Sequence, residues 1–166
     1  AGYLNAEMVQ TNFDFYGTEL SGTTSMRDRW KRVLGSTNRY VGEAIGKLYV
    51  DAVFPPEAKA TAKSMVNNIL AAMKVRIENV DWMTPDTKVK AQEKLASFTV
   101  KIGYPDKWKD YSSLEVKTVA QGGTYAGNAM AAKNWGFKEE VAKLHEPVDK
   151  AEWGMTPQTV NAYYNP

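Results

Sequence analysis

The sequence predicts a mainly α-helical protein that closes on one β-strand. Three observations carry this expectation. Apolar residues recur every three to four positions over long stretches, proline and glycine punctuate those stretches, and residues 160–164 alone have the β-branched and aromatic character of a strand. At 166 residues, 43% hydrophobic and 24% charged, the chain has the length for one good core. A chain of this size is expected to bury roughly 70% of its unfolded surface without metal or disulfide staples. The net charge is +2 and the basic residues are scattered, unlike the clustered basic face of a nucleic-acid binder. No apolar run approaches the roughly 20 residues that a bilayer-spanning helix needs.

The elements follow in order. Leu4, Met8, Phe15, Tyr16 and Leu20 predict a first helix ending at Ser21-Gly22, where glycine suits a C-terminal cap. Trp30, Val33, Leu34, Val41, Ile45, Leu48 and Val53 predict a second over residues 26–53, with Gly35-Ser36 as its point of kinking and Pro55-Pro56 as its end. Ala58, Ala62, Met65, Val66, Ile69, Leu70, Met73 and Ile77 form the clearest stripe and predict a helix over residues 56–80. Thr84 can cap the next helix and Pro85 fits its first turn, so that Val89, Ala91, Leu95 and Phe98 point inward. Residues 105–108 read as a turn with Trp108 packed, and residues 124–144 as an alanine-rich helix, with Trp135-Gly136 as its weak point and Pro147 as its close. The five tryptophans sit beside apolar helix residues and are expected as core anchors. A lone strand at residues 160–164 has no partner in this sequence, so its sheet is expected to lie in further chain.

Few residues suit catalysis. The absence of cysteine excludes disulfides and thiolate metal sites. The one histidine stands in His145-Glu146-Pro147-Val148-Asp149, which imitates an H-E-x-x-H zinc motif. That motif needs two histidines one helical turn apart, whereas here Asp149 replaces the second and Pro147 breaks the face. His145 reads as a residue at a helix C-terminus. The run Gly122-Gly123-Thr124-Tyr125-Ala126-Gly127 lacks the spacing of a phosphate-binding loop and reads as a connection into a helix. Glu139 and Glu140 lie beside Lys138 and Lys143, as on a solvated helix face.

Asn161-Ala162 is the remaining pair. An edge strand can add a peptide as a further strand, an asparagine amide offers both a donor and an acceptor to any peptide backbone, and alanine permits close approach. By residue chemistry alone a structural strand remains the better reading of this segment.

A resemblance reverses that preference. The runs Arg29-Trp30-Lys31-Arg32, Gly42-Glu43-Ala44-Ile45-Gly46-Lys47-Leu48-Tyr49-Val50, Asp81-Trp82-Met83 with Thr87-Lys88 and Ala91, Lys101-Ile102-Gly103-Tyr104-Pro105-Asp106, Pro147-Val148-Asp149-Lys150, Glu152-Trp153 and Val160-Asn161-Ala162-Tyr163-Tyr164 occur in an order that resembles the neprilysin and endothelin-converting enzyme family of zinc endopeptidases. The resemblance implies a multi-helical lobe over residues 1–154 that caps the catalytic cleft, and the start of the catalytic domain over residues 155–166. It implies that Asn161 and Ala162 hold the backbone of peptide substrates, with the rest of the catalytic domain as partner. In such an enzyme zinc polarises the scissile carbonyl and activates water, with a glutamate as base. The family's zinc motif is missing from these residues, so this piece is expected to be inactive alone, with neither catalytic nor metal-ligating residues of its own. The cysteine-free form looks like bacterial members and implies a periplasmic or secreted enzyme, although the residues fit the cytoplasm as well. The rival expectation is a non-catalytic helical interaction module, which the coding sequence beyond Pro166 would separate from the peptidase.

Overall fold

A computed structural model describes residues 2–165. Among them five α-helices dominate and no β-strand forms. Helix α1, Ala6–Phe13, starts where the Asn5 side chain accepts the Met8 N–H at 2.9 Å. It runs on into a π-helical stretch, Asp14–Glu19, in which the Leu20 N–H donates to the Phe15 carbonyl. The inward face is not the predicted one. Val9, Phe13 and Gly17, each four residues apart, are half-buried, whereas Leu4, Met8, Phe15, Tyr16 and Leu20 are exposed. Gly22 ends the element with a φ of 65°, as its position predicts.

Helix α2, Arg29–Val53, passes straight through Gly35-Ser36 and departs from helical geometry at Val41 instead, with φ −134° and ψ 38°. No atom lies within 4 Å of where a Gly35 Cβ would stand, so no packing forces a break there. The chain forms two compact units, and the boundary falls four residues past this irregularity. One comprises Ala1–Ile45 and Lys109–Val148, the other Gly46–Trp108 and Asp149–Pro166.

In the first unit, α5 (Tyr125–Ala142) opens on Thr124, whose hydroxyl accepts the Gly127 N–H at 3.0 Å. It is unbroken at Trp135-Gly136 because Ala129, Ala132 and Trp135 share one buried face. The Trp135 indole donates to the Ser113 hydroxyl at 2.8 Å, and its ring meets Tyr111 at 4.9 Å between centroids. The Glu43 carboxylate accepts the Lys109 N–H.

In the second unit, α3 (Pro56–Asn79) and α4 (Pro85–Ala96) pack on one another. Thr84 caps α4 as its sequence predicts. Ala62, Val66, Leu70 and Ile77 of α3 are half-buried, but Met65, Ile69 and Met73 from the same stripe face solvent. On α4, Ala91 and Leu95 are half-buried as expected, while Val89 and, just beyond the helix, Phe98 are exposed. Two polar side chains take those inward places: Lys88 donates to the Glu78 carbonyl and Gln92 to the Lys74 carbonyl, each at 2.9 Å. Long side chains of this kind can lie half-buried while their polar heads satisfy backbone carbonyls.

Beyond α4, Gly103 (φ 74°) lets the chain pass so near Phe54 that an added Cβ would lie 2.5 Å from its ring. Phe54 meets Tyr104 edge-on at 5.4 Å, and Tyr104 stacks on Trp108 at 6.1 Å. The Lys59 ammonium donates at 2.7 Å to both the Tyr104 carbonyl and the Asp106 carboxylate. The predicted turn and the packing of Trp108 are therefore both present.

The core is much smaller than length alone predicts. The chain exposes 12,992 Å², whereas an unfolded chain of 18.5 kDa exposes about 26,800 Å². About half is buried, less than even a 60-residue domain usually manages. Among the described residues the buried hydrophobic side chains are Val50, Ala129, Ala132 and Trp135, with Gly42, Gly46 and Pro105 also buried. Trp30 and Trp82 are exposed, which corrects their reading as core anchors.

Candidate functional site: the terminal segment

Residues 154–165 belong to the second unit, and three contacts fix their course. Pro157 lies against α2, where a Cβ on Gly46 would stand 2.5 Å from the proline ring. The Tyr163 hydroxyl accepts the Gly154 N–H at 3.0 Å. The Tyr164 ring meets Phe98 at 5.9 Å. One step upstream the Lys101 ammonium donates to the Glu152 carbonyl. Pro157 sits second in a turn that the Thr159 N–H closes on the Thr156 carbonyl at 3.0 Å, a position for which its fixed φ is suited.

Asn161 and Ala162 follow that turn, and both are exposed, as is Val160. The Asn161 N–H donates to the Thr159 carbonyl at 3.2 Å, and the Asn161 side-chain oxygen accepts the Ala162 N–H at 2.8 Å. No ladder of backbone hydrogen bonds forms over residues 160–165 among the described residues, so the predicted strand is not formed. A strand is defined by pairing, and no described segment pairs with this one.

The other sequence candidates have structural employment. His145 ends a short 3-10 turn, Lys143–His145, and is exposed, while Asp149 accepts the Ala151 N–H at 2.8 Å. Gly122, with φ 76°, ends the 3-10 turn Val119–Gln121, and Gly123 runs so close to the Lys117 carbonyl that a Cβ there would clash at 2.1 Å. The glycine-rich run is thus a tight connection into α5. Glu140 pairs with Lys143 at 2.7 Å, and that hydrogen bond holds its carboxyl below the usual range. Among the described residues no three His, Cys, Asp or Glu side chains gather as a metal-holding group. Catalytic zinc needs three protein ligands, so these residues do not fit that ion.

Sequence reasoning missed the groups that hold the terminal segment. Gly46 carried a signal, because glycine inside a helix costs about 1 kcal/mol and marks close approach. Tyr163 carried none, since its partner is a backbone N–H nine residues away.

Comparison with known proteins agrees with this architecture. The chain is 34% identical over 154 residues to an endothelin-converting enzyme homolog of Locusta migratoria and 35% over 150 residues to neprilysin-3 of Drosophila melanogaster. Each match covers 89% of this chain but only 21% and 19% of the relative, so the chain spans about a fifth of their length. Among solved structures, zinc metalloprotease ZMP1 of Mycobacterium tuberculosis, in complex with an inhibitor, superposes with a TM-score of 0.83 at 43% identity, covering 98% of this chain and 24% of that one. PepO of Lactobacillus rhamnosis HN001 superposes with a TM-score of 0.74 at 32% identity, covering 99% and 26%. The family model for peptidase family M13 matches residues 1–105, well over half of the 166, and this chain therefore belongs to peptidase family M13.

Proposed function

We propose that this chain is the helical lobe of an M13 zinc metalloendopeptidase, with residues 1–154 capping the cleft and residues 155–166 opening the catalytic domain. Asn161 and Ala162 hold the main chain of peptide substrates in this reading. The observation that supports it most directly is the exposed backbone at residues 160–164, which forms no ladder with another described segment and is held from one side by Pro157, Tyr163 and Tyr164. An anchored, exposed segment whose N–H groups make only local hydrogen bonds among the described residues can accept a peptide as an added strand by exchanging them. To do so, the Asn161 amide exchanges its contact with the Ala162 N–H for the guest backbone.

The small core supports the partner in this proposal. A chain that leaves about half of its unfolded surface in water is suited to being covered by more polypeptide, here the remaining catalytic domain. These residues do not supply zinc ligands, and no step through the metal is assigned to them. A periplasmic or secreted enzyme accords with this reading, and no helix among the described residues is long and apolar enough to cross a membrane.

The test is Asn161→Ala in the full-length peptidase. KM for peptides should rise about three- to tenfold, the worth of one or two neutral hydrogen bonds, with zinc content unchanged. Kinetics unaltered across several peptides would remove Asn161 from the site.

A further inference from the structure

We infer that the Tyr163 hydroxyl is a positioning group that sets the peptide-binding segment, an inference that rests on the peptide-binding reading of Asn161 and Ala162. Its hydrogen bond to the Gly154 N–H spans nine residues and closes residues 154–163 into a loop. The loop is pinned a second time inside its circumference, where Pro157 packs on α2 at Gly46. Asn161 and Ala162 lie on the arc between those two fixings and are exposed. Among the described residues the other hydrogen bonds at this pair are local, to the Thr159 carbonyl and within the Asn161-Ala162 pair. Rotation of this arc would carry the Asn161 amide away from a guest backbone, because its nearest fixed neighbour on the C-terminal side is Tyr163. Preorganisation of this kind lowers the ordering cost of binding without touching the ligand. The ring also sits where it can do this: a Cβ on Gly154 would lie 3.5 Å from the Tyr163 ring, ordinary contact.

Tyr163→Phe removes the hydroxyl and keeps the ring. With a quenched fluorogenic decapeptide and the full-length peptidase, KM should rise about three- to tenfold while kcat stays within about twofold, as for one lost hydrogen bond acting on binding. Because Tyr163 acts through Asn161, the double variant Asn161→Ala/Tyr163→Phe should be no worse than Asn161→Ala alone, a non-additivity that a general loss of stability would not produce. A readout independent of activity is hydrogen exchange at the Gly154 amide, which should quicken about tenfold in Tyr163→Phe at an unchanged thermal midpoint. If Asn161→Ala raises KM while Tyr163→Phe leaves both KM and Gly154 exchange unaltered, this inference fails and the peptide-binding reading stands. Fully multiplicative effects in the double variant would also overturn it. If Asn161→Ala itself has no effect, the peptide-binding reading fails first.

Discussion

Gly103 offers the sharpest test of how the second unit is packed. Its φ of 74° puts the backbone in the left-handed region, and a Cβ there would meet Phe54 ring carbons at 2.5 and 2.8 Å. Gly103→Ala therefore incurs two separable costs. The left-handed backbone costs about 1–2 kcal/mol for an L-residue, and overpacking against the ring costs about 1–3 kcal/mol more, for a total near 3 kcal/mol. Gly122 provides the comparison, because its φ is 76° but nothing lies within 4 Å of its Cβ position. Gly122→Ala should cost only the backbone share, about 1–2 kcal/mol. Followed by circular dichroism at 222 nm, Gly103→Ala should lower the thermal midpoint by about 6–12 °C and Gly122→Ala by about half as much. Phe54→Leu should partly relieve Gly103→Ala, with a coupling of about 1–2 kcal/mol in a double-mutant cycle. Equal midpoints for the two alanine variants, with no coupling to Phe54, would refute the close approach.

Two further outcomes bear on the electrostatics. Lys59 is only 19% exposed at its side chain and Asp106 is 96% exposed, so the bond to the Tyr104 carbonyl outweighs the ion pair. Lys59→Met should destabilise the second unit by about 1.5–3 kcal/mol in urea, and Asp106→Asn far less. The Lys59 hydrogen bond lowers the Asp106 pKa, so the pair's small contribution is present above the ordinary carboxylate range and fades as pH falls through the lowered value. Burial raises the Tyr111 pKa above 10.0, with the Glu43 charge adding to the rise. The folded protein thus favours the neutral phenol, and this contribution is complete below pH 10 and lost as pH climbs through the raised value. Denaturant midpoints should fall more steeply above pH 10 in the wild type than in Tyr111→Phe.

The helices were legible wherever local chemistry decided them. Thr84-Pro85 starts α4 because a hydroxyl cap and a fixed φ act within one turn, and Pro56 opens α3 for the second of those reasons. Which face turns inward was less legible, since it depends on partners distant in sequence. Val89 was expected inward on α4 and is exposed, whereas Lys88 and Gln92 reach carbonyls of α3. The irregularity falls at Val41, directly before Gly42, while Gly35, which has no packing neighbour at its Cβ position, drew the prediction instead. At the terminal segment, the family resemblance and not residue chemistry singled out Asn161 and Ala162, and the strand expected there depends on a pairing partner that residues 2–165 do not provide.

The exposed apolar residues bring the fold and the proposed function together. On α3 the stripe is wide enough for two contacts: Ala62, Val66, Leu70 and Ile77 are half-buried, and Met65, Ile69 and Met73 remain in solvent. A helix serving one partner needs only the first set, and carrying the second into water gains nothing from burial. The same division recurs on α1 and its π-helical continuation, where Val9 and Phe13 are half-buried while Met8, Phe15 and Tyr16 stay exposed. Two helices, one in each compact unit, thus leave apolar side chains outward that their own unit does not bury. The proposed covering of this lobe by further polypeptide would account for both faces by one cause.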